Sequence, residues 1–312
     1  MSIPIKELDF EKLSRIMHEK DHRVIFRKTN VIPDDEDLFD ELKSYISYDN
    51  IPDKSVLGID IYQYSSGYGV LEQALLPFLM RRIMETAIDQ CFVHHKYIFQ
   101  KYDRQRILDH FISTGDGGFF IFDTPLHSLL FAINIATVVR VFNAFHFYPK
   151  LRSIIGSINL RYAITYDKIY KFHKNYFGRT IINNARILQR DNLNRCLIEQ
   201  NVHKWFLVNI GGLENLQVIT MSEISNIHDF LDDYDQNILE DYPDEIFGII
   251  EKRTYGIINS DILKIGKIQS KSTELNIYLL HLQVAIKLVN DDDINQSKVF
   301  TISLGNLNTA GI

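Results

Sequence analysis

Phe111-Ile112-Ser113-Thr114-Gly115-Asp116-Gly117-Gly118-Phe119-Phe120-Ile121-Phe122 reads as two short strands joined by a tight turn, with the Gly115-Asp116 dipeptide at the tip. Upstream, Ser55 to Tyr64 carries Val56, Leu57, Ile59 and Ile61, an apolar and β-branched run suited to a buried strand. Between the two, apolar residues recur at helical spacing from Leu71 to Phe92, as at Leu79, Ile83, Ala87 and Cys91; Pro77 is expected to kink that helix or to mark its first turn. Downstream, Pro125 to Phe145 predicts a second long helix, Ser157 to Thr165 a strand and Thr180 to Arg190 a third helix. Strand, helix, hairpin, helix, strand, helix is the order of an α+β, ferredoxin-like βαββαβ fold, expected with its helices on one face of an antiparallel sheet.

Around this unit, placed at residues 51–210, the texture changes. Residues 1–50 are polar and predict a helical lead-in with an acidic run at Asp34-Asp35-Glu36-Asp37. Residues 211–312 predict a smaller α+β accessory unit, a candidate for sensing: an acidic, helix-prone segment from Ser222 to Lys252, then strands between Ser260 and Leu288.

Composition narrows the function classes. The 34 Lys and Arg against 40 Asp and Glu give a net charge of −6, which argues against nucleic acid as a partner because a phosphate backbone needs a basic surface. Two cysteines, Cys91 and Cys196, are too few for a disulfide framework, and no basic-then-apolar leader opens the sequence, so a cytoplasmic protein is expected. The most apolar stretch, Leu126 to Phe142, is interrupted by Asn134 and Arg140 and is expected to be a buried helix rather than a membrane span.

Two carboxylates stand where strands end: Asp60 within Gly58-Ile59-Asp60-Ile61-Tyr62-Gln63-Tyr64-Ser65, and Asp116 at the hairpin tip. An aspartate in an apolar strand is costly unless its charge is met, and a divalent cation meets two such groups at once. Either residue alone reads as a turn aspartate; the pair points to a metal site.

These residues resemble the class III adenylyl and guanylyl cyclases, whose first metal aspartate lies in a strand ending F-x-D-I-x-x-F-T and whose second lies in a G-D hairpin. Gly178-Arg179-Thr180-Ile181-Ile182-Asn183-Asn184-Ala185-Arg186 is similar to their G-x-T-V-N-x-A-x-R, and Leu160-Arg161-Tyr162-Ala163-Ile164 looks like their L-R-x-G-I strand. The four motifs come in family order over about half of the chain. The resemblance implies two divalent ions, Mg2+ or Mn2+, held by Asp60, Asp116 and the Ile61 carbonyl. It also implies a triphosphate cradled by N–H groups from Tyr62 to Ser65, Tyr64 and Ser65 standing for the aromatic and hydroxyl pair, and Arg186 donated by the second subunit of a homodimer. For the family's triphosphate-binding lysine the candidate is Lys204.

The base-reading positions depart from the family: Ile112 and Asn175 match neither the adenylyl nor the guanylyl pair. The ribose-orienting asparagine position holds Ile182, with Asn183 and Asn184 the neighbouring substitutes. A rewritten pocket beside intact metal and arginine positions looks like the pyrimidine cyclases of bacterial Pycsar antiphage systems, which make cyclic UMP or cyclic CMP from UTP or CTP for a separate effector protein to read. Asn175 is expected to read a pyrimidine edge, with Ile112 and Tyr62 narrowing the pocket. The alternatives are an adenylyl cyclase with an atypical base pocket and a catalytically silent nucleotide-binding sensor. His18-Glu19-Lys20-Asp21-His22 matches a zinc-hydrolase spacing, but Lys20, Asp21 and Arg23 face water, and a solvated helix end is expected. His94-His95 reads as a helix-end charge partner, Asp291-Asp292-Asp293 as an exposed turn.

Overall fold

The central strands are those with the long apolar runs, buried on both faces. The computed structural model describes residues 4–20, 36–47, 51–227, 234–240, 255–269, 274–290 and 293–312. In chain order the elements are β1 (Lys6–Leu8), α1 (Phe10–Lys20), α2 (Glu36–Ile46), β2 (Asp53–Ile61), α3 (Tyr64–Gly67), α4 (Val70–His94), α5 (Arg104–Asp109), β3 (Phe111–Ser113), β4 (Gly117–Phe122), α6 (Pro125–Asn143) and α7 (Pro149–Ile155). There follow β5 (Leu160–Lys168), β6 (Tyr170–Phe172), β7 (Asn175–Phe177), α8 (Arg179–Arg190), β8 (Cys196–Glu199), α9 (Gln200–Ile210), α10 (Met221–Ser225), α11 (Gln236–Glu240), β9 (Tyr255–Gln269), β10 (Glu274–Asn290) and β11 (Asp293–Leu304).

The expected βαββαβ order is present, and β5-β2-β4-β3 lie side by side, β2 antiparallel to both neighbours. Side chains alternate across β2: Leu57, Ile59 and Ile61 enter one core with α4 and α6, whereas Val56 enters a second core with Ile187 and Leu188 of α8. The expectation of helices on one face is thereby corrected. Thr180, Asn183, Asn184, Ile187 and Leu188 form the buried stripe that draws α8 onto the opposite face. The sheet is also not wholly antiparallel, because β8 runs parallel to β5.

Pro125 opens α6 at its first turn, where its missing N–H is harmless, and the helix is buried on nearly every side. Pro125–Asn143 is long and apolar enough to cross a membrane, yet 83% of that window is buried inside this fold. In α4, Pro77 lies inside the helix and removes the N–H that would bond the Gln73 carbonyl. The Tyr64 hydroxyl donates to that carbonyl instead, at 3.2 Å.

The sheet continues across residue 211. β10 pairs with β8 from Ile277↔Glu199 to Leu280↔Cys196, and β9 and β11 pair with β10, so the C-terminal strands extend the same sheet. Leu280, Leu282, Val284, Ile302 and Leu304 enter the core of α4 and α6. Burying the outer edge of β8 satisfies a row of backbone groups that would otherwise form an open edge. A separate three-stranded sheet joins β1, β6 and β7. Parts of His18–His22, Asp34–Asp37, Ser222–Lys252 and Asp291–Asp293 lie outside the described residues.

Candidate active site

Register places the first carboxylate. Asp60 is the second-last residue of β2, on the α8 face, and pairs across the sheet with Gly117 of β4 on one side and Arg161 of β5 on the other. Asp116 precedes Gly117, and its carbonyl accepts the Ile61 N–H at 3.2 Å, drawing the hairpin tip over the end of β2. Only glycine permits this approach: a Cβ on Gly117 would stand 2.0 Å from the Ile59 carbonyl oxygen. Gly115, at the turn, has φ +101°, which side chains rarely adopt.

Burial pushes the Asp60 carboxyl above its ordinary range, the Arg161 guanidinium opposes this, and the Asp116 carboxylate pushes it further up. Arg161 donates to Asp60 through one terminal nitrogen and to the Asp191 carbonyl through the other, at 2.5 Å for the second. The network continues inward. Asp191 is buried and takes the buried Arg195 guanidinium at 2.7 and 2.9 Å, and Arg195 donates onward to the Asn308 and Ala310 carbonyls. A chain of contacts thus runs from Asp60 to a C-terminal strap.

The backbone at the turn after β2 is partly committed. The Tyr62 N–H, expected to face a phosphate, donates to the Asn159 carbonyl at 2.9 Å. Gln63 takes a left-handed conformation, and Tyr64 and Ser65 then head α3, where the first N–H groups have no partner within a helix. The Tyr64 ring packs against the α4 and α6 core, and Ser65 is exposed.

Of the remaining residues, Asn183 and Arg186 lie on α8, Asn183 buried and Arg186 half-buried. Asn184 is spent on structure: its side-chain NH2 donates to the Val56 and Ala163 carbonyls at 2.8 and 2.9 Å, and a Cβ on Gly58 would meet its oxygen at 1.9 Å. Ile112 and Tyr176 pack against the same cluster as Val56, and Asn175, beside Tyr176, is exposed on β7. Lys204 is exposed on α9, whose buried Val202, Trp205 and Phe206 belong to the α4 and α6 core, the face opposite Asp60.

Arg161, Asp191 and Arg195 were missed as site residues by sequence reasoning. The usable signal for Arg161 was parity: a guanidinium at a position of β5 on the same face as Ala163, opposite a carboxylate on β2.

The donor set suits a hard cation. Two carboxylates and the Ile61 carbonyl are all oxygen, the preference of Mg2+ and Mn2+, and among the described residues no group of three or more His, Cys, Asp or Glu competes with them.

No protein-family profile matches the chain, and no curated protein does. Among solved structures it is similar to an adenylate/guanylate cyclase/hydrolase from Silicibacter pomeroyi, at 13% identity over 73% of this chain and 95% of that one, with a TM-score of 0.41. It is likewise similar to the adenylyl cyclase CyaB from P. aeruginosa, at 11% identity over 73% and 93% with a TM-score of 0.36. The guanylyl cyclase Cya2 gives 9% over 73% and 91%, also at 0.36. The functional reading rests on the residues at the ends of β2 and β4.

Proposed function

We propose that the chain is a metal-dependent nucleotide cyclase that converts a pyrimidine nucleoside triphosphate, UTP or CTP, to the 3′,5′-cyclic monophosphate and pyrophosphate. The observation that carries this is the pairing of Asp60 with Gly117, which sets the Asp116 hairpin tip over the end of β2. Asp60, Asp116 and the Ile61 carbonyl would hold the two divalent ions. Bound there, such ions acidify a ribose 3′-hydroxyl and balance the charge of departing pyrophosphate. Tyr64 and Ser65, heading α3, offer N–H groups to the β- and γ-phosphates, without the Tyr62 N–H that Asn159 takes. Arg186, from the second copy of a homodimer, would spread its planar fork over the transferring phosphoryl oxygens, with Asn183 orienting the ribose.

Pyrimidine selection is drawn from the departures at Ile112 and Asn175. An asparagine offers a donor and an acceptor to a base edge, and Ile112 puts an apolar side chain, packed against the core beneath α8, where the family has a polar base-reading group. A signalling role in antiviral defence, with the product read by a separate effector in the cytoplasm, follows from the same resemblance. Incubating the protein with each of the four ribonucleoside triphosphates and manganese, and weighing the products, tests the reading. Cyclic UMP or cyclic CMP, absent with Asp60→Ala, is expected. Faster cyclisation of ATP or GTP would refute the pyrimidine assignment, and no cyclic product would leave a nucleotide-binding sensor.

A further inference from the structure

At the other end of β2 lies a cavity of about 640 Å³ that the cyclase reading does not use. Lys54 is the second residue of β2 and Asp60 the eighth, so about 20 Å of strand separates the two places at ~3.3 Å per residue. Lys54, Lys101, Arg106 and Lys171 line the cavity against Asp123 and Glu7, an excess of positive charge on a chain whose net charge is −6.

The charges are set into the fold. Lys54 is only 5% exposed and reaches the Asp123 carboxylate at 2.5 Å, and Arg106 reaches the other oxygen of that carboxylate at 3.6 Å. Burial alone would raise the Asp123 carboxyl, but Lys54 above all, then His127 and Arg106, hold it well below its usual range. One carboxylate therefore faces two permanent cations, and the surplus charge sits on a low-dielectric wall where an anion is attracted most strongly. From the far side, Lys171 of β6 is 3.9 Å from Glu7, a loose pair that leaves ammonium donors to share. Two aromatic groups complete the wall: His110 and Tyr176 meet edge to face at 6.0 Å, with the Tyr176 hydroxyl donating to the Asp109 carbonyl. The volume falls in the range of about 300–1,000 Å³ typical of small-molecule sites.

We propose that this cavity is a second ligand site, which takes a small phosphate-bearing anion between Arg106, Lys54 and Lys171. The phosphate meets the surplus cations, and the His110–Tyr176 wall offers a face to any attached base. The site stands whether or not the chain cyclises nucleotides.

The test uses the full chain carrying Asp60→Asn and Asp116→Asn, in chelator, so that metal-dependent nucleotide binding is removed. Inorganic phosphate and AMP are titrated separately by calorimetry, and then repeated on the same chain with Arg106→Gln and Lys171→Gln added. Binding that weakens roughly tenfold or more in the added double variant, and that falls with salt, is expected for charge-assisted contacts. Tighter binding of AMP than of phosphate identifies a nucleotide; equal binding identifies free phosphate. Lys171→Gln alone, on the surface hairpin, should still weaken binding about threefold if the double variant fails to fold. Absence of binding by both probes, or affinity unmoved by Lys171→Gln, overturns the proposal.

Discussion

The Arg161 guanidinium lies on the Asp60 carboxylate, its register partner across the β2–β5 ladder. Asp60 is thus a half-buried carboxylate with a counter-charge from one neighbouring strand and a like charge, Asp116, from the hairpin tip on the other side. A cation bound between the two aspartates must share Asp60 with Arg161 or displace it.

Replacing Arg161 with Met should therefore destabilise the protein in chelator by about 1–3 kcal/mol, because Asp60 is left partly buried without its counter-charge. Added manganese should recover part of this loss, since a ligand that binds the folded state stabilises it. Urea unfolding with and without manganese measures both. A variant as stable as the parent in chelator would show that Arg161 is not the counter-charge of Asp60.

Gly117→Ala should uncouple the two carboxylates. The new methyl meets the Ile59 carbonyl at 2.0 Å, and the hairpin can relieve this only by lifting off β2. A shift on the order of 1 Å is enough for roughly a 100-fold loss of turnover, with about 1–3 kcal/mol of stability lost to overpacking. Cyclic product formation beside thermal unfolding reads the two effects; full turnover would deny the close approach a role.

The adjacent asparagines of α8 should separate cleanly. Asn184→Asp exchanges a buried NH2 that donates to two strand carbonyls for an acceptor, and a loss of about 2–4 kcal/mol is expected. Asn183→Ala should lower kcat while leaving Tm within a few degrees. The reverse pattern would move the ribose contact to Asn184.

Glu199 gives the chain a pH dependence independent of metal. Burial above all raises its carboxyl to about 7, with Asp167 adding to the rise, while the Tyr166 N–H donates to it at 2.8 Å. Between pH 4.5, its ordinary value, and about 7 the folded state holds a proton that the unfolded state has released. Stability from this group is thus full below pH 4.5 and declines as pH rises through 7, by a few kcal/mol on the order of 1.4 per unit. Glu199→Gln keeps the acceptor and removes the ionisation, so its advantage over the parent in urea should grow from pH 5 to pH 8. Parallel curves for the two proteins would mean that Glu199 titrates normally.

How much of this was legible in the sequence follows from what each residue answers to. β2, the β3–β4 hairpin and β5 were visible because a strand buried on both faces must be apolar nearly throughout and a tight turn must carry glycine, both local demands. The face chosen by α8 was not, since an amphipathic stripe says that a helix packs without saying on which side of the sheet. The continuation of the sheet through β10 was hidden for a related reason: strand pairing between Cys196 and Leu280 is a long-range fact with no local signature. Asp60 and Asp116 stood out by chemistry, whereas Arg161, Asp191 and Arg195 acquire their meaning only from register and the fold of residues 305–310.

The pairing of β10 with β8 also sets an order of events at the ribosome. At roughly 5–20 residues per second, the edge of β8 waits on the order of several seconds before residues 277–280 emerge to cover it. Arg195 waits longer still for the carbonyls of Asn308 and Ala310, and with it the tether that runs through Asp191 and Arg161 to Asp60. A nascent chain thus carries an open strand edge through that interval, and Asp60 reaches its final surroundings only once translation has passed residue 310.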